Sequence, residues 1–274
     1  MTSERDATEE ISLLKRNTRA LWGRGDYSAV APLLEGAARH LVERCSISHG
    51  QDVLDVAAGT GNVAICASGR GARVIACDLN PVLVGKGRER SRAEGFDMGW
   101  VEADCEALPF KDRRFDCVTS AFGTMFAPRP AVVVSELFRV ARPGATVSLA
   151  GWTPESYPGR SGAIARRYLP PSEGIPSPLQ WGVEEDVRPR LEPCATSILT
   201  ERGSVRWEFG SLQEMHELFE SNAPLSIATR ESLSQDRYEQ YSEEVMELTR
   251  AFNRAGDGSV VIHAGYLLVV ARAR

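Results

Sequence analysis

One stretch constrains the fold of this chain more than any other, and it reads VLDVAAGTGNV over residues 53–63. A short apolar run carries the carboxylate of Asp55 and then breaks into a turn of small residues, after which helical character resumes at 63–67. This order of strand, glycine turn and helix is typical of the first unit of an open α/β nucleotide-binding sheet. Gly59 and Gly61 can adopt positive φ angles, and their lack of a Cβ lets a ligand lie directly on the backbone.

The glycine pattern alone fits more than one ligand. Gly59-x-Gly61-x-x-Ala64 also matches the dinucleotide fingerprint. Asp55 lies four residues before the first glycine, where its charge would repel a pyrophosphate. A carboxylate there favours a ligand that brings a positive charge and no phosphate. S-adenosylmethionine (SAM), with its ammonium and sulfonium, is such a ligand.

With these residues in place, the chain resembles the class I SAM-dependent methyltransferases, in particular the bacterial ubiquinone/menaquinone-methyltransferase-like branch that acts on small molecules. The resemblance rests on five motifs in the family's order and spacing, from residue 53 to residue 152. They are VLDVAAGTGN at 53–62, ACDLNP at 76–81, EADCEALPF at 102–110, FDCVTSAFGTMFAP at 115–128 and RVARPGATVSLAGW at 139–152. Ala57 replaces the glycine that the family usually has, but it keeps a small side chain.

The alternation of patterns within 51–152 predicts an α/β fold with a parallel sheet. We expect strands near 52–56, 73–77, 98–102, 115–120 and 145–151, and helices near 61–69, 80–94 and 129–141. The resemblance implies a Rossmann-like, seven-stranded sheet with helices on both faces. It also implies a helical lid at 1–50, a SAM-binding core at 51–152, a cap insertion between strands 5 and 6 at 153–200, and a segment at 201–274 that completes the sheet.

Outside the core the patterns are weaker. Apolar residues at helical spacing predict an amphipathic helix over 8–21. The proline-rich insertion is expected to be helical at 160–168 and 183–191, and Pro143-Gly144 is expected to turn the chain. Further along, the patterns predict strands at 205–209 and 266–271 and helices at 212–219 and 238–253.

The resemblance assigns cofactor roles to residues that follow the strands. Asp78 would accept hydrogen bonds from the ribose hydroxyls, with Leu79 on the adenine face. Asp104, with the backbone of Cys105, would accept the adenine amino group, although a helix N-cap is an alternative role for this aspartate. The remaining residues expected to hold the cofactor are Asp55, Ala57, Gly59, Gly61, Ser120 and Phe122.

Aromatic and apolar side chains outside the glycine turn are the candidates for substrate contact. They are Trp22, Tyr27, Met125, Phe126, Tyr168 and Trp181. Packing against neighbouring helices or the sheet is the alternative for each of them. Methyl transfer mainly requires alignment of the reacting atoms and exclusion of water, so no catalytic residue is assigned. His263, just before the expected last strand, is the one weak candidate for a base.

Composition excludes several classes of function. A net charge of −5 argues against a nucleic acid partner. No run approaches the roughly 18 apolar residues of a membrane span, and the polar N-terminus has no signal core, so a cytoplasmic location is expected. The six cysteines show no zinc-binding spacing, and no metal is predicted.

The leading hypothesis is therefore an enzyme, a SAM-dependent methyltransferase that modifies an O, N or C atom of a small, apolar metabolite, such as one of specialised (natural-product) metabolism. Two alternatives remain. One is a SAM-binding protein of the same fold that catalyses a cyclisation or rearrangement without methyl transfer. The other is an NAD-dependent oxidoreductase, which the position of Asp55 disfavours. The oligomeric state is left open.

Overall fold

Seven strands form one sheet in the computed structural model, which describes residues 4–171 and 175–274. The strands are β1 (Asp52–Val56), β2 (Arg73–Asp78), β3 (Gly99–Glu102), β4 (Phe115–Ala121), β5 (Ala141–Trp152), β6 (Ala195–Phe209) and β7 (Val260–Ala273). They lie in the order β3-β2-β1-β4-β5-β7-β6. The first five are parallel, and β7 runs antiparallel to both of its neighbours. The predicted seven-stranded, Rossmann-like sheet is confirmed.

Helices connect the strands and precede the sheet. They are α1 (Glu4–Trp22), α2 (Tyr27–Val30), α3 (Glu35–Arg44), α4 (Asn62–Gly69), α5 (Pro81–Ala93), α6 (Pro130–Val140), α7 (Tyr157–Tyr168), α8 (Glu184–Leu191), α9 (Leu212–Asn222), α10 (Pro224–Ser232) and α11 (Gln235–Phe252). Short 3₁₀ turns cover Ala31–Leu34, Thr124–Phe126 and Pro178–Gly182. Proline opens α5 and α6, where its missing N–H costs nothing.

The core lies on both faces of the parallel strands, as their apolar sequences require. Val53, Leu54 and Val56 of β1 are fully buried, and Leu137 of α6 packs with them in one continuous cluster. Burying each such side chain stabilises the fold by about 1.5–3 kcal/mol. The strand order reverses between β1 and β4, which opens a crevice at their carboxyl ends.

The structure differs from the sequence-based expectations mainly beyond β5. Strand β7 begins at Val260, so it includes His263, and β6 begins at Ala195, so the end of the expected insertion belongs to the sheet. These two strands pair with each other along almost their whole length, which extends both. Helix α10 was not predicted. Gly144 has a φ of 78°, but it lies inside β5, at an irregularity in its pairing with β4.

The described residues between β5 and β6 pack along the sheet. Helix α7 contacts α11 and β7, and α8 contacts β6 and α6. The turn at Pro178–Gly182 contacts β5, and a Cβ on Gly182 would collide with the carbonyl of Trp152. Among the described residues, no helix is long and apolar enough to span a membrane.

Candidate functional site

A cleft opens at the carboxyl ends of β1, β2 and β4, beneath α1 and α2. It encloses about 1030 Å³ of empty space, counting the part that is open to solvent. Its floor is the glycine turn after β1, and its walls come from the residues that follow β2, β3 and β4. The residues that line it are Lys15, Thr18, Trp22, Tyr27, Leu34, Ala38, Asp55, Ala57–Thr60, Asn62, Val63, Asp78, Leu79, Leu83, Ala103–Cys105, Ala121–Gly123 and Phe126–Pro128.

The turn between β1 and α4 is built from left-handed backbone. Ala57, Gly59 and Gly61 have φ angles of 52°, 58° and 90°. Glycine adopts this region freely, whereas an alanine there is strained. A Cβ on Gly59 would lie 3.4 Å from the Tyr27 ring, so the backbone of this residue faces the cleft and its aromatic cover.

Gly61 packs closely against a side chain, and its predicted role in holding the cofactor stays a prediction. A Cβ there would lie 2.8 Å from Cη2 of Trp100, and Gly61 does not line the cleft. A Cβ on Gly87 of α5 would lie only 2.1 Å from the same atom. The indole of Trp100 therefore fills the space beside both glycines, and its Nε1 donates to Ser91 Oγ at 3.1 Å.

Asp55 lies at the end of β1 and is buried, with 1% of its surface exposed. Its Oδ2 accepts a hydrogen bond from the Ala64 N–H at 3.0 Å, and its Oδ1 accepts one from Thr119 Oγ1 at 3.2 Å. Burial raises the pKa of this carboxyl to about 7, because the two hydrogen bonds only partly offset the loss of hydration. Asp55 thus ties the strand to the helix that follows the glycine turn.

Asp78 ends β2 and organises the backbone around the cleft. Its Oδ2 accepts from the Gly59 N–H at 2.8 Å, and its Oδ1 accepts from the Asn80 N–H at 2.9 Å. Asn80 in turn caps α5 through the N–H groups of residues 82 and 83. Burial raises the pKa of Asp78, and hydrogen bonds from the backbone oppose that rise.

The wall after β3 carries paired charges. Lys15 of α1 places its Nζ 2.6 Å from Asp104 Oδ2 and 2.6 Å from Glu106 Oε2. Burial by itself would lower the pKa of the Lys15 ammonium, but the hydrogen bonds to the two carboxylates outweigh it and raise the pKa. The Glu106 carboxylate is fully buried and also receives hydrogen bonds from the backbone and side chain of Arg129.

Aromatic rings cover the other end of the cleft. Trp22 meets Tyr27 and Phe126 edge-on, at ring-centroid distances of 5.6 and 5.0 Å. Burial raises the pKa of the Tyr27 phenol well above its usual range, and the charge of Asp78 adds to the effect. Phe122 has a left-handed φ of 60° and stacks on Trp152, with centroids 3.9 Å apart, so its ring is held rigidly at the end of β4.

The cleft brings together most of the residues singled out in the sequence. Those that line it are Asp55, Ala57, Gly59, Asp78, Leu79, Asp104, Cys105, Phe122, Trp22, Tyr27 and Phe126. Six do not line it: Gly61, Ser120, Met125, Tyr168, Trp181 and His263.

These six lie behind the cleft or away from it. Ser120 Oγ accepts from the Thr124 N–H at 3.3 Å, beneath the turn that carries Met125. Tyr168 donates to Glu244 of α11 at 2.7 Å, and Trp181 is 4% exposed in the core. The described part of the 153–200 insertion contributes no residue to the lining, because it packs along β5, β6 and β7.

Lining residues that lie outside the quoted sequence stretches and were not singled out include Lys15, Thr18, Leu34, Ala38 and Leu83. The spacing of the first two with Trp22, at intervals of three and four, places all three on one face of α1. That spacing is visible in the sequence.

Comparison with known proteins supplies separate information. Residues 53–144 match the family model described as a methyltransferase domain. The uncharacterised protein Rv1403c of Mycobacterium tuberculosis is 38% identical over 280 residues, which cover 99% of this chain and 97% of that protein.

Two further matches have more specific names. The ubiquinone/menaquinone biosynthesis C-methyltransferase UbiE of Brucella abortus is 44% identical over 100 residues, which cover 35% of this chain and 37% of the relative. A solved structure of a candidate methyltransferase from Bacillus halodurans aligns with a TM-score of 0.62 at 21% identity, over 86% of this chain and 97% of that one. At that identity the likeness concerns the fold alone.

Proposed function

The chain belongs to the class I SAM-dependent methyltransferases, and from that premise we propose that it methylates an O, N or C atom of a small, apolar metabolite. The observation that supports this substrate class is the aromatic and aliphatic end of the cleft. Trp22, Phe122 and Phe126 line it together with Leu34 and Ala38. An acceptor held there would exchange water for apolar surface, which favours uncharged molecules.

The polar half of the cleft fits SAM. Three carboxylates follow three neighbouring parallel strands, and SAM offers three kinds of donor: an ammonium, two ribose hydroxyls and an adenine amino group. In this proposal Asp55 faces the charged methionine end, Asp78 accepts from the ribose and Asp104 accepts from the adenine. Leu79 and Cys105 flank the adenine ring. A pyrophosphate is disfavoured, because the buried carboxylate of Asp55 lies directly before the glycine turn.

The bound cofactor supplies a methyl group that its sulfonium has already activated. The chain then has to align the acceptor and keep water out. The Phe122 ring, fixed by its stack on Trp152, provides a rigid wall at the end of β4. Helices α1 and α2 provide the cover through Trp22 and Tyr27. The Tyr27 phenol remains protonated at neutral pH and so can donate a hydrogen bond to a polar atom of the acceptor or cofactor.

A cytoplasmic location belongs to the same proposal.

Two measurements test the proposal. Calorimetry should show that the full chain binds SAM and S-adenosylhomocysteine at low-micromolar concentration or better and does not bind NAD. Incubation with SAM labelled in its methyl group should then transfer label to members of a panel of apolar phenols, enols and amines.

Other outcomes would contradict the proposal. Tight NAD binding without SAM binding would indicate an oxidoreductase. Label transferred only to charged acceptors would refute the apolar substrate class. A rearranged but unlabelled product would support the cyclisation alternative.

A further inference from the structure

Helix α1 places a positive charge where the cofactor's adenine is expected. Lys15, Thr18 and Trp22 face the cleft from successive turns of this helix. The Lys15 ammonium lies between Asp104 Oδ2 and Glu106 Oε2 at 2.6 Å from each, and only 19% of its side chain is exposed. No role was expected for this lysine.

The two carboxylates depend on Lys15 to different extents. Glu106 is also bound by Arg129, through the backbone N–H at 2.7 Å and the side-chain Nε at 2.8 Å. It would therefore keep a charged partner if Lys15 moved away. The Oδ1 of Asp104 accepts from the Glu106 N–H at 2.9 Å, which closes a local turn, and its Oδ2 is the atom that receives Lys15. Loss of Lys15 would thus free Asp104 Oδ2.

The remainder of α1 is held in ways that do not involve Asp104. Asn80 Nδ2 donates to the Arg19 carbonyl at 2.6 Å, and the Arg19 guanidinium pairs with Glu102 at 2.6 Å. After the helix ends, Gly25 has a φ of 63° and packs against the backbone of residue 222. The Trp22 end of the helix is therefore anchored independently of the Lys15 ion pair.

We propose that Lys15 competes with the adenine amino group of the cofactor for Asp104 Oδ2. In the empty site the ion pair between Lys15 and Asp104 holds α1 in place as a latch, and this ion pair breaks when the cofactor binds. The inference rests on the proposed role of Asp104 in the function above. Asp104 Oδ1 already accepts a backbone N–H, and Lys15, which lines the cleft, holds the Oδ2 that we assign to the amino group. Lys15 remains paired with Glu106 in the loaded site, so the Lys15 ammonium keeps a negatively charged partner.

The test compares Lys15→Met with the full unmodified chain. Methionine keeps an unbranched apolar side chain of similar reach and removes the charge. We expect S-adenosylhomocysteine to bind about three- to tenfold more tightly to Lys15→Met by calorimetry, and to associate faster in stopped-flow fluorescence. The range reflects a partly exposed ion pair. Lys15→Gln repeats the measurement if the methionine variant does not fold.

A matched control lies one turn along the same helix. Arg19→Met removes the ion pair with Glu102, whose side chains are 45% and 43% exposed, without touching Asp104. It should leave the affinity unchanged. An equal gain in both variants would show general loosening of the helix and would overturn the competition.

The ligand provides a second control. The analogue of S-adenosylhomocysteine that carries hydrogen in place of the 6-amino group of its purine has no donor at that edge for Asp104, so it should gain nothing from Lys15→Met. Equal gains for both ligands would refute competition at that atom. Unchanged or weaker binding of S-adenosylhomocysteine to Lys15→Met would also overturn the latch, and weaker binding would make Lys15 part of the loaded site. A failure of the unmodified chain to bind S-adenosylhomocysteine would instead contradict the proposed function.

Discussion

Replacing Asp55 with asparagine should make the stability of the protein less dependent on pH. The side chain is buried at the end of β1, and burial raises its pKa to about 7. In the unfolded chain an aspartate titrates near 3.9. The protonated form therefore favours folding. This contribution is fully present below about pH 4, and it is lost as the pH rises through about 7.

The magnitude follows from the difference between the two pKa values. Complete ionisation of Asp55 costs about 4 kcal/mol of folding free energy, because each unit of difference between the folded and unfolded pKa values corresponds to about 1.36 kcal/mol. Between about pH 5 and about pH 8, the part that is lost is roughly 2–3 kcal/mol. The asparagine side chain would be isosteric with the protonated acid. Its carbonyl can accept from the Ala64 N–H and its amide can donate to Thr119 Oγ1, whose hydroxyl then turns to the Leu54 carbonyl at 3.3 Å.

The assay is urea unfolding of the ligand-free protein, followed by circular dichroism at about pH 5 and about pH 8. Relative to the unmodified chain, Asp55→Asn should gain roughly 2–3 kcal/mol of unfolding free energy over this interval. Asp97→Asn, at an exposed position after α5, should show no such gain. Parallel profiles for the unmodified chain and Asp55→Asn would refute the raised pKa and the reasoning from burial.

Two further pairs of substitutions separate packing from binding. Gly61→Ala should lower the unfolding free energy by about 2–5 kcal/mol, because residue 61 has a left-handed backbone and its new Cβ would collide with Trp100. Gly85 has open space around it, so Gly85→Ala should be neutral or stabilising in the same urea titration. Trp181→Ala should cost about 3–5 kcal/mol of stability but leave the affinity of the folded protein for S-adenosylhomocysteine within a few-fold. Phe126→Ala, in contrast, should change the acceptor KM in the methyl-transfer assay. A Trp181→Ala protein of normal stability with an altered acceptor KM would contradict the placement of Trp181 in the core.

The sheet and the cofactor end of the cleft could be predicted from the sequence because their signals are local. A strand that ends in a carboxylate and a glycine turn occupies about ten consecutive residues, and the residues after parallel strands meet at one edge by geometry alone. The resemblance to the class I methyltransferases assigned roles to Asp78 and Asp104 at these strand ends, and both line the cleft.

The aromatic end of the cleft, where we propose that the substrate binds, was less predictable because its residues are brought together by packing over long distances in sequence. Tyr168 and Trp181 are aromatic, as residues of a binding surface often are, yet Trp181 packs closely against Gly151 of β5. Nothing in the local sequence distinguishes an aromatic residue that faces a ligand from one that faces a sheet. Lys15 was missed for the same reason, since its partners lie about ninety residues away.

The contact of Trp100 with two glycines has a consequence for how this family can vary. An indole at position 100 requires the absence of a side chain at both Gly61 and Gly87, which belong to different helical segments. A change at any one of the three positions therefore constrains the other two. Among related sequences, alanine or serine at position 61 or 87 should occur together with a smaller residue at position 100. The glycine at position 61 would then be required by the tryptophan at position 100 as well as by cofactor binding.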